Sequence, residues 1–179
     1  MDLLSLAVLC GPLVHPQMTL QVIAVESQGQ VYAIHDNTTG EHYTPKTLPD
    51  AVHLSRQLID AGHRLDLGLM QINYEAWLRP VQFPLERALD PCTNITLGTT
   101  ILSADYIQAL TRSTAPGDAL ARALSLYNSG SESHSLSYAR KVLGEAELGE
   151  SASSSQRAAR MARSAQRARL APVTFSGSR

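Results

Sequence analysis

Up to Leu143, apolar residues recur at helical spacing between breaks of Gly, Pro and Asn. Met1–Cys10 is apolar but too short to span a membrane, and it predicts a first helix, interrupted by Pro12 and Pro16. Met18–Ser27 repeats the pattern, with Leu20, Ile23 and Ala24 on one face and Gly29 as the stop. Val31–Tyr43 is short, β-prone and turn-rich. Its run Asp36-Asn37-Thr38-Thr39-Gly40 predicts a tight turn between two short strands. Pro49–Gly62 returns to a helical period through Ala51, Leu54, Leu58 and Ile59. Leu65–Ile72 reads as a loop entering a short helix around Trp77, after which Pro80 and Pro84 break the chain again. A long helix is predicted over Asn94–Thr111, with Leu97, Ile101, Leu102 and Ile107 among its apolar positions. Asp118–Tyr127 predicts another, closed by Asn-Ser-Gly as a C-cap, and Ser135–Leu143 a last short one. There is no internal repeat. The pattern is that of an α-rich α+β domain with one small β excursion.

After Gly144 the composition shifts. Ser151–Ser155 is nearly all serine, and Gln156–Leu170 is rich in Ala and Arg. This places a folded domain at residues 1–145 and a Ser/Ala/Arg-rich tail at 146–179. The tail reads first as a solvated, largely disordered segment. If helical, Arg157, Arg160, Arg163 and Arg167 would line one face and offer a contact for an anionic surface. The formal net charge of the whole chain is −1, which argues against a dedicated nucleic-acid binder.

The two cysteines, Cys10 and Cys92, form no CxxC, and no histidine lies near either at metal-ligand spacing. Composition leaves two readings open: a disulfide in an oxidising compartment, or two unrelated buried thiols. No HExxH, nucleophile elbow, P-loop or dinucleotide fingerprint is present, so neither metal nor cofactor is expected. The N-terminal run has no basic n-region and no A-x-A site, so it reads as part of the domain. For an exported protein, either the true start lies upstream or export takes another route.

Three ordered segments carry candidate chemistry: Glu26-Ser27, then Asp66-Leu-Gly-Leu-Met-Gln-Ile-Asn73, then Tyr127-Asn-Ser-Gly130, with Tyr138 beyond them. In this order they resemble the goose-lysozyme-type lytic transglycosylases. Gln71-Ile72-Asn73, Asp90-Pro91-Cys92-Thr93-Asn94 and Ser125-Leu126-Tyr127-Asn128-Ser129-Gly130 are most similar to the subgroup that serves type IV secretion and conjugation. The resemblance covers about residues 5–143. It implies a lysozyme-like helical fold with a cleft and a periplasmic location. It implies peptidoglycan glycan strands as substrate, and partners in a secretion or conjugation apparatus. It also implies a Cys10–Cys92 disulfide, which in the chain-entropy account would contribute about 4–5 kcal/mol.

By the resemblance, Glu26 is the catalytic acid. The physics agrees, because protonating a glycosidic oxygen near neutral pH needs a carboxyl of raised pKa. The end of a helix beside Val22 and Val25 supplies that through the helix dipole and desolvation. No second motif-placed carboxylate is apparent. Asp66 and Asp36 are nearest, and Asp66 reads as a loop-ordering residue before a Gly turn. The resemblance therefore implies a non-hydrolytic cut that forms 1,6-anhydro-MurNAc.

Substrate contacts are expected from Ser27, Gly68, Met70, Gln71, Asn73, Tyr127 and Asn128, with Tyr138 orienting Glu26. Ser27 reads equally as a helix-end serine bonding the backbone. Gly68, Met70 and Gln71 also fit a tight turn with core packing, and Tyr127 also fits the core. A hydrolase of the same fold and a non-catalytic peptidoglycan-binding assembly factor are the rival functions.

Overall fold

The computed structural model describes residues 1–113 and 115–144. The predicted tail lies outside the described residues, and so does its arginine stripe. Helix α1 (Leu3–Cys10) opens where the Asp2 carboxylate accepts a bond from the Ser5 amide, satisfying a free N–H of the first turn. Helix α2 (Pro16–Glu26) starts with proline at its first position, where no amide is needed. The chain then forms β1 (Ile34–Asp36), β2 (Glu41–Tyr43), α3 (Leu48–Asp60), β3 (Leu65–Leu67) and β4 (Ile72–Asn73). A π-helical turn (Tyr74–Leu78), a 3-10 turn (Arg79–Val81), α4 (Leu85–Ala88), α5 (Pro91–Leu110), α6 (Pro116–Ser129) and α7 (Leu136–Leu143) complete the order. The organisation is α-rich α+β.

Two sequence expectations need correction. Leu65–Ile72, read as a loop, contains β3 and the start of β4. These join β1 and β2 in one antiparallel sheet of order β2-β1-β3-β4. The strands are two or three residues long, too short for an alternating period to show, and backbone pairing of Asp36 with Leu65 and Asp66 with Asn73 defines them instead. The long helix begins at Pro91 rather than Asn94, because Asp90 caps it by accepting from the Thr93 amide and Pro91 takes its first position.

α5 is the central strut. It buries Ile95, Gly98 and Leu102 against its neighbours, among them the α6 face of Ala119, Ala123 and Leu124. At its N-terminal end Cys92 is disulfide-bonded to Cys10 of α1, with Cα atoms 5.2 Å apart. Thr96 Oγ1 reinforces the junction by donating to the Cys10 carbonyl at 2.8 Å.

Asn94 joins α5 to the sheet. Its fully buried amide donates to the carbonyls of Leu67 and Ala88 and accepts from the Met70 amide at 2.8 Å. Both donors and the acceptor oxygen are thereby engaged, so the burial carries little net cost. The side chain needs room. At Gly68 (φ +78°) a Cβ would sit 2.3 Å from Asn94 Nδ2, so both the conformation and the contact require glycine. Among the described residues, no helix is long and apolar enough to cross a membrane.

Candidate active site

Glu26 is the last residue of α2. The helix stops there because Gln28 (φ 54°) and Gly29 (φ 79°) both take left-handed backbone and turn the chain away. The carboxyl lies half-buried on a cleft of about 900 Å³. Tyr138 Oη, from α7, donates to Glu26 Oε1 at 2.5 Å. Burial raises the Glu26 pKa, the Tyr138 bond opposes that, and the charge of Asp66 adds to the rise; the result is pushed up to about 7. Tyr138 is itself buried, and burial together with the Glu26 charge pushes its hydroxyl well above the ordinary phenol range. It therefore stays protonated and remains a donor.

Asp66 lies on the same cleft. Asn37 Nδ2 donates to its Oδ2 at 2.8 Å, and Asn73 Nδ2 to its Oδ1 at 2.7 Å. Both oxygens are thus held by amides that knit β3 to β4 and to the turn after β1. These bonds place Asp66 on a strand rather than in a loop. Asn73 also caps the π-helical turn through the Ala76 amide. The other motif-adjacent carboxylate, Asp36, is fully buried and absent from the cleft wall.

The remaining expected site residues separate into two groups. Gln71, Asn73, Tyr127 and Asn128 line the cleft with Glu26 and Asp66. Gln71 takes a left-handed φ of 47°, rare for a side chain of its size, and its Nε2 donates to the Gly68 carbonyl at 2.7 Å. Tyr127 Oη donates to the Met70 carbonyl at 2.7 Å, which fixes the α6 end against the β3–β4 connection. Ser27, Gly68 and Met70 do not face the cleft. Ser27 is buried and donates back to the Ile23 carbonyl at 3.1 Å, the backbone role left open by its helix-end position. Gly68 makes its close approach to Asn94 rather than to a ligand. Met70 is fully buried in the space left by Gly98, where a Cβ would stand 2.5 Å from its sulfur. The flanking role expected for its side chain is corrected to core packing.

Residues 7–142 match the family described as the Transglycosylase SLT domain. The chain belongs to that family. Glu26, Tyr127 and Tyr138 all fall inside the matched segment, and the lysozyme-like fold of the Transglycosylase SLT domain is the α-rich α+β arrangement described above. Protein virB1 of Agrobacterium fabrum is 35% identical over 137 residues, covering 74% of this chain and 54% of that protein. The type IV secretion system protein virB1 of Brucella abortus is 31% identical over 157 residues, covering 81% of this chain and 64% of that one. The chain thus spans between about half and two thirds of the length of these relatives. No solved structure gives a significant match.

The SLT cleft has further lining residues that sequence reasoning did not single out: Asn37, Arg64, Glu75, Trp77, Asp105 and Gln108. Asp105 and Gln108 lie inside a regular helix, and no local signal marks them as site residues. In the sequence, Trp77 marks only the centre of a short helix. Among the described residues, no group of three or more His, Cys, Asp or Glu side chains is placed to hold a metal ion.

Proposed function

We propose that the chain is a peptidoglycan lytic transglycosylase that cleaves the MurNAc–GlcNAc β-1,4 bond with Glu26 as its single acid and base. The observation that carries this reading is the placement of Glu26: half-buried on the cleft wall, with Tyr138 its one donor among the described residues, so that burial pushes its pKa up to about 7. At that pKa both the acid and its conjugate base are populated at neutral pH, as a group that must first give and then take a proton requires.

In the first half-reaction Glu26 delivers its proton to the glycosidic oxygen as the bond from that oxygen to C1 breaks. The acetamido oxygen of the same MurNAc bonds to C1 and takes up the positive charge. In the second half-reaction the Glu26 carboxylate removes the proton from the C6 hydroxyl. O6 then bonds to C1, displaces the acetamido oxygen, and leaves 1,6-anhydro-MurNAc. Glu26 ends protonated, as it began. The C6 hydroxyl competes with water because it is already held near C1. Asp66 supports the non-hydrolytic outcome. With both oxygens engaged by Asn37 and Asn73, it is poorly suited to attack C1 or to activate a water, the two roles a second carboxylate plays in glycoside hydrolysis.

The place of action follows from the same reading. A disulfide suits an oxidising compartment, and the Brucella relative's name ties it to a type IV secretion system. The protein works in the periplasm, opening the glycan mesh locally so that a type IV secretion or conjugation apparatus can pass. A zymogram with purified sacculi tests the activity. Clearing by the protein is expected. Retention on sacculi with no clearing would overturn the enzymatic reading in favour of a glycan-binding assembly factor.

A further inference from the structure

Helix α5 presents Ile101, Asp105 and Gln108 to the cleft, spaced four and three residues apart and so in one stripe. The burial of Ile95, Leu102 and Ala109 marks another face of the helix as core. It does not account for an aspartate on the cleft stripe. Asp105 Oδ2 is buried and has no hydrogen-bond partner among the described residues. Glu75 Oε2, from the π-helical turn on the same cleft, is in the same condition. Buried polar atoms without partners are rare, and each costs stability that a folded protein recovers only if a partner arrives. Both residues lie on the cleft wall, where a partner can reach them. Two residues beyond Glu75, Trp77 is 51% exposed on the cleft wall, an unusual place for the one tryptophan of the chain. An exposed indole on the same cleft as unpaired acceptors suits a ring that is apolar on its face and rich in donors at its edge.

We propose that Asp105 and Trp77 form a further sugar subsite of the cleft. In it the Asp105 carboxyl accepts a hydrogen bond from an amide N–H or hydroxyl of a β-1,4-linked amino-sugar strand, and the indole stacks on a ring of that strand. The inference rests on the glycan-cleaving reading of the cleft. It assigns Asp105 to binding and not to bond breaking. Asp66 is the carboxylate whose charge adds to the rise at Glu26, whereas Asp105 is shifted by burial alone, to about 6. At neutral pH Asp105 is therefore mostly ionised and acts as an acceptor.

The test uses the full chain carrying Glu26→Gln, so that ligand is not consumed, with an N-acetylglucosamine hexamer as probe. Calorimetry compares this protein with versions that also carry Asp105→Ala, Asp105→Asn or Trp77→Ala, each checked for unchanged circular dichroism. Loss of an ionised acceptor is expected to weaken binding about tenfold or more in Asp105→Ala. Asp105→Asn, which keeps one acceptor oxygen, should fall between. Trp77→Ala should weaken binding by a similar factor. Hexamer affinity within about twofold of the parent in all three would overturn the subsite while leaving the proposed reaction intact. Failure of the Glu26→Gln parent to bind either the hexamer or purified glycan strands would overturn both.

Discussion

Two carboxylates, about 10 residues apart in sequence, end with opposite pKa shifts. Asp36, on β1, is fully buried, more so than Glu26 at the end of α2. Burial pushes both pKa values up. At Asp36 it is outweighed, because His63 Nδ1 lies 2.6 Å from Oδ2 and Thr38 N and Thr39 Oγ1 donate at 2.8 Å each. These donors hold the Asp36 carboxyl well below the usual carboxylate range. Among the described residues Glu26 has the single Tyr138 donor, and its pKa rises to about 7. Depth does not decide the protonation state. The number of donors aimed at the carboxylate does, and it separates a structural acid from one that can give up a proton.

Replacing each carboxylate by its neutral amide breaks the symmetry most sharply. Glu26→Gln should lower glycan cleavage about 10,000-fold or more, since it removes the proposed proton donor. Because the folded-state pKa of Glu26 lies above its ordinary 4.5, ionisation there costs stability. That cost is absent below the unfolded value and complete above about 7, so Glu26→Gln should raise the melting temperature at pH 8 and leave it nearly unchanged at pH 4. Retained cleavage would remove Glu26 from the chemistry.

Asp36→Ala should do the reverse: destabilise by about 3–5 kcal/mol in chemical denaturation by stripping His63, Thr38 and Thr39 of their shared acceptor, while Glu26 keeps its own environment. The stabilisation from Asp36 is present above its unfolded pKa and is lost as pH falls through its depressed folded value, so the deficit should vanish only in strong acid. A deficit under about 1 kcal/mol at neutral pH would show that the three donors are satisfied equally well by water.

Tyr138→Phe sharpens the comparison by taking Glu26 from one donor to none. The Tyr138 bond lowers the Glu26 pKa, so its loss should move the alkaline fall of kcat/KM to higher pH. The rate should drop about 10- to 100-fold from lost orientation. An unmoved pH profile would mean that Tyr138 does not act on Glu26.

The smallest effect is expected at Asp105, which has a buried oxygen without a partner and a pKa raised by burial from 3.8 to about 6. Asp105→Asn should raise the melting temperature by a few degrees at pH 7.5, where the ionised carboxyl is a burden, and leave it unchanged at pH 3.5. Equal melting temperatures at both pH values would mean that solvent reaches Asp105 freely.

What the sequence discloses and what it conceals divides along similar lines. Helix ends were readable, because their causes are local: Gly130 takes a left-handed φ of 69° and closes α6 after Asn-Ser. The cleft face formed by Gln71, Asn73, Tyr127 and Asn128 was accessible through ordered motifs. Met70 and Gly68 stand in the same motif yet turn into the core, since Gly98 and Asn94 of α5 form the space they occupy, and that pairing spans a long stretch of chain. The Leu65–Ile72 strands escaped for a similar reason: their partners, not their period, define them. Asp105 left no trace, because a lone aspartate in a helix looks solvated until the tertiary fold buries one of its oxygens.

The central claim is that one carboxyl, Glu26, breaks the glycan and closes the anhydro ring. Mass spectrometry of muropeptides released from sacculi by the purified protein tests it directly. The account predicts products ending in 1,6-anhydro-MurNAc, one water lighter than hydrolysed ends. Reducing-end MurNAc as the dominant product would contradict it and make this cleft that of a hydrolase.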